Sequence, residues 1–314
     1  MDSTPANEIL RDLPPFFRIY KNGRIEKMAE FTYTPPSSDP QTGVQSKDIL
    51  IPPENSVSIR LFLPKTTTPD EKLPIIIYIH GGAFVIESAF SPLYHPYVNC
   101  LAAEAKAIVV SVEYRLAPEN PIPACYEDSW QAFQWVLSHA SSKHGPEPWI
   151  NNNADFGSIF VMGDSAGANI AHEVMVRTSE RIGLKEDVKI VGMILVHPFF
   201  GDGKPDELWS CIAPAGSGCD DPWLNPMAHP DLLSRLVCTR VLVLTAEKDF
   251  LRERSLLYYD ALKKSGWNGE LEIMETEGEE HCFHLNNPSC ENAKILMKRV
   301  VSFINRDHHR GSML

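Results

Sequence analysis

Ser165 is the residue whose neighbours most clearly indicate chemistry. It lies in residues 163–167 (Gly-Asp-Ser-Ala-Gly), which match the Gly-x-Ser-x-Gly pattern of a nucleophile elbow. Residues 156–162 before it form an apolar run of strand length, and residues 168–176 after it have helical spacing. A sharp turn between a strand and a helix exposes the hydroxyl at the positive end of the helix, where it could attack an acyl carbon.

A serine hydroxyl is a weak nucleophile at neutral pH and requires a general base, which in turn needs an acidic group to orient it. In proteins with this elbow, the acid and then the histidine follow the serine along the chain. Asp249 follows the apolar run 241–246, and His281 follows the run 271–274 after a short acidic loop. Because parallel strands end at one edge of a sheet, we predict that Ser165, Asp249 and His281 form a catalytic triad.

Each partner of the serine has an alternative nearby in the sequence. Glu247 lies two residues before Asp249, and His284 lies three residues after His281. We prefer His281 as the base because it lies nearer to the end of its predicted strand. Glu247 and His284 remain the alternative acid and the alternative base.

Acyl transfer also requires donors for the negative charge that develops on the carbonyl oxygen. Residues 80–84 (His-Gly-Gly-Ala-Phe) follow a predicted buried strand, and glycine there lets backbone N–H groups face a substrate without an intervening side chain. We predict an oxyanion hole formed by the N–H groups of Gly81, Gly82 and Ala166. The methyl group of Ala83 is expected to be tolerated if its φ angle is negative.

Apolar runs of strand length alternate with segments of helical spacing along most of the chain. This alternation predicts an α/β fold with a mostly parallel, doubly wound sheet flanked by helices. The predicted strands are residues 46–52, 57–63, 73–80, 107–112, 156–162, 190–196, 241–246 and 271–274. The predicted helices are residues 97–105, 128–138, 168–176, 255–264 and 292–304. For residues 1–25 we predict a short helix followed by a hairpin-type turn at Asn22-Gly23.

The composition argues against several classes of protein. The chain has 314 residues, 43% of them hydrophobic, and can bury a large core. A net charge of −12 without a dense Lys/Arg run argues against nucleic acid and anionic membranes as partners. No apolar run approaches the ~20 residues that span a bilayer, and the polar N-terminus lacks a signal-peptide core. Seven scattered cysteines without a Cys-x-x-Cys pair favour reduced thiols, so we expect a cytoplasmic protein without a structural metal site.

Four motifs together resemble the hormone-sensitive-lipase branch of the α/β-hydrolase family and, within it, the plant carboxylesterases. They are residues 80–82, 114–119, 163–169 and 278–283, and the segments 20–24 and 221–226 extend the resemblance to roughly residues 8–305. The resemblance implies an α/β-hydrolase fold in a single domain, residues 1–314. It further implies a cap built from about residues 1–40 and from an insertion at about residues 200–235. The triad that it implies is again Ser165, Asp249 and His281.

The resemblance implies a preferred function and two alternatives. A carboxylesterase would hydrolyse short-chain acyl esters of small metabolites, with Ser165 as the nucleophile. The 2-hydroxyisoflavanone dehydratases, which residues 80–84 and 87–90 resemble, use a similar scaffold for elimination, but we associate them with threonine at the nucleophile position. A small-molecule receptor similar to the gibberellin receptors would lack the catalytic histidine, whereas His281 is present.

Apolar residues near the predicted triad and oxyanion loop are expected to line a substrate pocket: Phe84, Val85, Ile86, Phe250 and Phe283. The stretch between Phe200 and Leu208 is shorter than is usual in the plant enzymes, and we expect it to crowd the acyl side of this pocket. No nucleotide-binding glycine pattern or metal-ligand motif is present, so we expect no cofactor and no metal. The expected partner is a small-molecule ester, and the expected assembly is a monomer or a weak homodimer.

Overall fold

The computed structural model describes residues 8–29, 32–52, 57–66, 68, 71–140, 145–181 and 183–306. Its strands are β1 (Ile9–Leu13), β2 (Phe17–Tyr20), β3 (Ile25–Lys27), β4 (Gln45–Ile51), β5 (Val57–Leu63), β6 (Leu73–Ile79), β7 (Ile108–Glu113), β8 (Ala154–Asp164), β9 (Ile190–Val196), β10 (Arg240–Ala246) and β11 (Glu270–Thr276). Its helices are α1 (Tyr94–Ala105), α2 (Ala124–Ser138), α3 (Pro148–Asn153), α4 (Ala166–Arg181), α5 (Glu207–Ile212), α6 (Pro230–Leu233), α7 (Arg252–Lys264), α8 (Phe283–Asn286) and α9 (Glu291–Ile304).

Eight of these strands form one sheet in the order β11-β10-β9-β8-β6-β7-β5-β4. The strands from β11 to β7 pair in parallel, whereas β5 pairs antiparallel with both β7 and β4. Each of the eight coincides with a predicted apolar run to within a few residues. The predicted α/β fold, a mostly parallel sheet flanked by helices, is confirmed.

Alternate residues of the central strands face two different layers of helices. In β6, Ile75, Ile77 and Ile79 belong to one core with residues of α2, α4 and α7, whereas Ile76 and Tyr78 belong to a second core with α1 and α9. All residues of β6 are buried. Because both faces of the sheet are covered, the sequence of β6 is continuously apolar and does not alternate.

The prediction of a short helix in the N-terminal segment is wrong. Residues 9–27 instead form a separate antiparallel sheet in the order β1-β2-β3. Ile9 and Leu10, which suggested the apolar face of a helix, are 44% and 54% exposed, while Leu13 and Phe17 are buried. Pairing with neighbouring strands satisfies the backbone here, so tertiary contacts override a weak local preference for helix.

The predicted turn at Asn22-Gly23 is confirmed. Gly23 has a φ of +83°, which favours glycine, and its N–H donates to the carbonyl oxygen of Tyr20 at 2.9 Å. This turn joins β2 to β3 and fixes their register, with Ile19 opposite Ile25. Residues 1–7, which belong to the same predicted segment, lie outside the described residues.

The predicted insertion at residues 200–235 contains α5, a 3-10 turn at Pro226–Ala228 and α6. Trp209 in α5 is buried, and its ring lies 6.0 Å from the ring of Phe84. The insertion therefore packs on the loop that follows β6. A single domain with cap elements at about residues 1–40 and 200–235 stays a prediction. None of the described helices combines the length and the apolar character needed to cross a bilayer.

Candidate active site

Four neighbouring strands each end beside a polar residue of the site. Ser165 follows β8, His197 follows β9, Asp249 follows β10 by a short turn, and His281 follows β11 by a longer loop. The order β8-β9-β10-β11 is consecutive in the sheet and parallel throughout. Their carboxyl ends therefore lie side by side at the edge where open α/β sheets place their ligands.

The structure brings the three predicted triad residues together. His281 Nε2 lies 3.0 Å from Ser165 Oγ, and His281 Nδ1 lies 2.9 Å from Asp249 Oδ1. The side chain of Asp249 is fully buried, whereas that of His281 is 20% exposed. With Nδ1 protonated and donating to the carboxylate, Nε2 carries the lone pair that can accept the serine proton.

The alternative acid and the alternative base lie elsewhere. Glu247 is exposed and accepts a hydrogen bond from the Gly278 N–H at 2.8 Å. His284 is buried, and neither of its ring nitrogens has a hydrogen-bond partner among the described residues. The structure therefore places Asp249 and His281, and neither Glu247 nor His284, in the hydrogen-bonded chain that ends at Ser165.

Ser165 occupies a strained backbone position. Its φ is +51°, in the left-handed region that residues with a side chain rarely adopt. Its N–H donates to the Val196 carbonyl at 2.8 Å, and its own carbonyl accepts from the Phe199 N–H at 3.0 Å. These two hydrogen bonds tie the elbow to β9 and its following turn, so the surrounding structure holds the strained residue in place.

There is no room for a side chain at either glycine beside Ser165. A Cβ added to Gly163 would lie 2.3 Å from the Gly167 carbonyl oxygen, and one added to Gly167 would lie 2.1 Å from the Ile79 carbonyl oxygen. These contacts are with backbone atoms, which cannot rotate away as a side chain can. The sequence Gly-x-Ser-x-Gly therefore permits the close approach of β8, α4 and β6.

Gly81, predicted as an oxyanion donor, is already hydrogen-bonded. Its N–H donates to Tyr94 Oη at 2.9 Å, and Tyr94 Oη donates in turn to Asp164 Oδ2 at 2.7 Å. Within the described part of the chain, no acceptor faces the N–H groups of Gly82, Ala83 or Ala166. The assignment of Gly81 therefore needs correction, since its N–H is directed into the protein.

The φ of Ala83 is +56°, so the condition under which its methyl group was expected to be tolerated, a negative φ, is not met. Gly82 next to it has a φ of +100°, and a Cβ there would lie 2.2 Å from the Ile86 carbonyl oxygen. The backbone of the loop therefore turns sharply at both residues.

The side chains of Tyr114 and His80 stabilise residues 80–84, the loop after β6. Tyr114 Oη donates to the His80 carbonyl at 2.9 Å, and its ring stacks on the His80 imidazole at 4.2 Å. His80 Nδ1 donates to the Gly81 carbonyl at 2.8 Å. Burial lowers the pKa of His80 to about 4, so the ring is neutral at neutral pH and serves as a fixed donor.

The predicted pocket residues differ in exposure. Phe84 and Val85 are fully buried, and Phe283 is 5% exposed, with its ring 5.8 Å from that of His197. Ile86 is partly buried. Phe250 is 75% exposed, and its ring lies 4.7 Å from the His281 ring.

His197 is the site residue that the sequence analysis missed. It is fully buried, and its Nδ1 lies 2.6 Å from Asp249 Oδ2. Burial raises the pKa of the Asp249 carboxyl, but the hydrogen bonds from His197 and His281 outweigh burial and hold this pKa well below its usual range. The available signal was its position: His197 directly follows a predicted buried strand at the same edge as Ser165.

His197, Asp249 and His281 are also the described residues that come nearest to a metal site, with ligand atoms within 4.8 Å of one another. The nitrogen and oxygen atoms that face each other are 2.6 and 2.9 Å apart. Ligands of a tetrahedral zinc, at roughly 2.0–2.1 Å from the ion, lie roughly 3.3 Å apart. The observed spacing is therefore that of hydrogen bonds.

Comparison with known proteins agrees with this geometry. A family model described as an alpha/beta hydrolase fold matches residues 76–285. The 2-hydroxyisoflavanone dehydratase of Glycyrrhiza echinata is 43% identical over 96% of this chain and 98% of its own, and probable carboxylesterase 1 of Arabidopsis thaliana is 43% identical over 96% and 99%. A hyperthermophilic esterase from Pyrobaculum calidifontis has a TM-score of 0.68 and 29% identity, covering 84% of this chain and 86% of that one. The chain belongs to the α/β-hydrolase family, in a group whose members are named plant carboxylesterases and 2-hydroxyisoflavanone dehydratases.

Proposed function

We propose that the protein is a serine carboxylesterase that hydrolyses short-chain acyl esters of small metabolites. The observation that carries the proposal is the continuous hydrogen-bonded chain from Ser165 through His281 to Asp249, with distances of 3.0 and 2.9 Å. Such a chain activates a serine hydroxyl for attack on an acyl carbon. The relatives named carboxylesterases and the esterase structures support the same reaction.

In the first half-reaction, His281 Nε2 accepts the proton of Ser165 Oγ as this oxygen attacks the ester carbonyl carbon. The buried carboxylate of Asp249 stabilises the imidazolium that forms. The tetrahedral intermediate then collapses, the bond to the alcohol oxygen breaks, and His281 returns the proton to that oxygen. The products of this step are a free alcohol and an acyl-enzyme on Ser165.

In the second half-reaction, His281 Nε2 accepts a proton from water while the water oxygen attacks the acyl carbon. Collapse of the second intermediate breaks the bond to Ser165 Oγ, which recovers its proton from His281. The acid leaves, and the triad returns to its starting state.

We assign the oxyanion of both intermediates to the N–H groups of Gly82 and Ala166, with Ala83 as a third donor. This revises the predicted set because the Gly81 N–H is bound to Tyr94. Ala166 is the first residue of α4, so its N–H also carries the positive end of the helix dipole.

Elimination on the same scaffold is the second candidate, because relatives named 2-hydroxyisoflavanone dehydratase match this chain as well as the carboxylesterases do. In that reaction His281 would remove a proton from carbon, the oxyanion donors would hold an enolate oxygen, and hydroxide would leave as water. Ser165 would form no covalent bond. The hydrogen bond that links Ser165 to His281 favours hydrolysis.

The exposed pocket residues and the free cysteines extend the proposal to the substrate site and the compartment. Ile86 is partly exposed, and Phe250 is 75% exposed with its ring 4.7 Å from that of His281, so we assign both to the wall that meets the substrate. All seven cysteines are free, which supports a reducing compartment such as the cytoplasm. One relative carries the name probable carboxylesterase 4, mitochondrial. A monomer or a weak homodimer stays the predicted assembly.

Labelling with an organophosphate tests the proposal. Only a serine assisted by a general base reacts rapidly with such a reagent, so we expect one modified residue, Ser165. Intact-mass spectrometry followed by peptide mapping measures the number and the position of the adducts. Ser165→Ala is the control and should take up no label. Labelling of another serine, or no labelling of the wild type, would contradict the assignment.

A further inference from the structure

The carboxylate of Asp249 has two oxygens, and the proposed reaction uses only one. Oδ1 accepts from His281 Nδ1 at 2.9 Å and from the Leu251 N–H at 2.8 Å. Oδ2 accepts from His197 Nδ1 at 2.6 Å, and no other described group donates to it. We propose that His197 is a positioning residue that fixes the rotation of the Asp249 carboxylate, so that Oδ1 stays in line with the base. The inference rests on the proposed function.

The need for a second donor follows from burial. The side chain of Asp249 is fully buried, so water cannot replace a missing hydrogen bond to Oδ2. The terminal torsion of an aspartate is also broad, and donors on one oxygen alone leave the carboxylate plane free to turn. Donors on both oxygens fix the plane and thereby the direction in which the imidazole of His281 points.

The backbone at His197 is strained. Its φ is +50°, a conformation that glycine or asparagine adopts more readily than histidine. Its N–H donates to the Leu244 carbonyl at 2.7 Å, which ties the end of β9 to β10. The backbone at this position would favour glycine. The presence of a histidine there in spite of the strain indicates that its side chain has a function.

A neutral ring at His197 is consistent with a positioning role. Burial lowers the pKa of His197, so its ring is neutral and donates through Nδ1. The titratable groups that face it are Asp249, His281 and His284, the last stacked on it at 5.7 Å between ring centroids. A permanent cation in its place would bind Asp249 and oppose positive charge on His281 during catalysis. A neutral imidazole provides an N–H group without that repulsion.

Substitution of His197 tests the inference. His197→Asn keeps an N–H donor near the position of Nδ1 and suits a positive φ, His197→Gln moves the amide one carbon further, and His197→Ala removes the donor. We expect His197→Ala and His197→Gln to lower kcat roughly 10- to 100-fold, as expected for a lost hydrogen bond to a charged group, and His197→Asn to stay within about threefold of wild type. KM should change less than about threefold in all of them. Each rate is divided by the concentration of active sites, which is measured by titration with an organophosphate.

The pH dependence separates positioning from a purely structural role. Loss of one donor leaves more negative charge on the Asp249 carboxylate, and this charge favours the protonated form of the proposed base, His281. We therefore expect the acidic limb of the kcat/KM profile to move to higher pH in His197→Ala but not in His197→Asn. His284→Leu is the matched control: it removes a buried histidine that stacks on the same ring and has no bond to Asp249, and it should leave the profile unchanged.

Two results would overturn the inference. The first is a His197→Ala enzyme whose titrated sites keep the wild-type kcat and pH profile. The second is a His197→Asn enzyme that is as slow as His197→Gln. Failure of the proposed function gives a different result, because the wild type itself would then show no ester turnover or no label on Ser165.

Discussion

Tyr94 accepts a hydrogen bond from Gly81 and thereby links residues 80–84, the loop after β6, to the turn at Ser165. The Gly81 N–H donates to Tyr94 Oη at 2.9 Å, and the same hydroxyl donates to Asp164 Oδ2 at 2.7 Å. Burial raises the pKa of Tyr94 well above its ordinary value, so the hydroxyl stays protonated. Asp164 directly precedes Ser165, and a second hydroxyl, that of Tyr78, also donates to it at 2.7 Å. The loop and the elbow are therefore held in a fixed relation by one phenol.

Tyr94→Phe should slow the enzyme. The change leaves the buried Gly81 N–H unpaired and removes a donor from the buried carboxylate of Asp164, each of which costs about 1–3 kcal/mol. We expect a kcat about tenfold lower and a lower free energy of unfolding, measured by ester turnover and by urea denaturation.

Tyr97→Phe is the matched control for that experiment. Tyr97 lies in the same helix and is buried, but its hydroxyl has no hydrogen-bond partner among the described residues. Its removal should therefore leave kcat unchanged and stability equal or higher. Equal effects of the two changes would show that the Tyr94 hydroxyl has no special role.

Removal of the nucleophile and removal of the base should have equal effects. In the acyl-enzyme reaction Ser165 and His281 act as one unit, so Ser165→Ala and His281→Ala should each lower kcat by about 10⁴- to 10⁶-fold, with the double variant no worse. Turnover of the best p-nitrophenyl ester measures all three. A Ser165→Ala enzyme that keeps more than about a tenth of wild-type turnover, a loss of only ~1.4 kcal/mol, would favour the elimination reaction.

Gly167→Ala should prevent normal folding of the elbow. Its Cβ would lie 2.1 Å from the Ile79 carbonyl oxygen and 2.5 Å from that of His80, so α4 and β6 would have to separate. We expect at least ~3 kcal/mol of lost stability, measured by chemical denaturation. Gly183→Ala is the control, because a Cβ there meets no atom within 4 Å and the change should be close to neutral.

Glu113 should make stability depend on pH. Burial raises the pKa of its carboxyl from 4.5 to about 7, against hydrogen bonds from Ser88 and Ala89. Because the folded pKa is the higher one, the contribution of Glu113 to stability is fully present below about 4.5 and is lost as pH rises through 7.

Glu113→Gln should remove that dependence. Relative to wild type, we expect the variant to gain about 3 kcal/mol of stability between pH 4.5 and pH 8.5, measured by denaturation at a series of pH values. Glu119→Gln alters a nearby exposed glutamate and should keep the wild-type dependence. A constant difference between Glu113→Gln and wild type would contradict the expectation.

Acyl preference should fall with chain length. Phe199, whose N–H bonds to the Ser165 carbonyl, packs at 5.6 Å against Phe84, which in turn packs at 6.0 Å against Trp209, and all three rings are buried. This aromatic group fills space beside the nucleophile. We expect kcat/KM to decrease from acetate to octanoate esters and Trp209→Leu to weaken the decrease. A steady rise with chain length in the wild type would show an open acyl pocket.

The central strands of the main sheet could be predicted from sequence because burial on both faces makes them continuously apolar. The strand β9, for example, has the predicted bounds, residues 190–196. The N-terminal sheet could not, since Ile9, Leu10 and Leu13 have helical spacing and yet pair as strands. Their exposure depends on the packing of the whole segment, which local spacing does not encode.

The proximity of Ser165, Asp249 and His281 was predictable because a triad requires these residue types and each of the three follows a strand of the sheet. Two features of the site were not. The engagement of the Gly81 N–H depends on Tyr94, which reaches it from a helix 13 residues later in the chain. The contact of His197 with Asp249 depends on a positive φ at the end of β9, an angle that histidine adopts too rarely for the sequence to predict it.

The linear order of the site along the sheet has a consequence for how such proteins diverge. Ser165 directly follows the interior strand β8, while His281 is carried by the loop after β11, the strand at the edge. Replacement of His281 after gene duplication would leave the sheet core, the elbow and the oxyanion loop intact. Under the proposed function, such a protein would keep the groups that bind the ester and would lose the general base, so one substitution at the edge of the sheet would separate binding from cleavage.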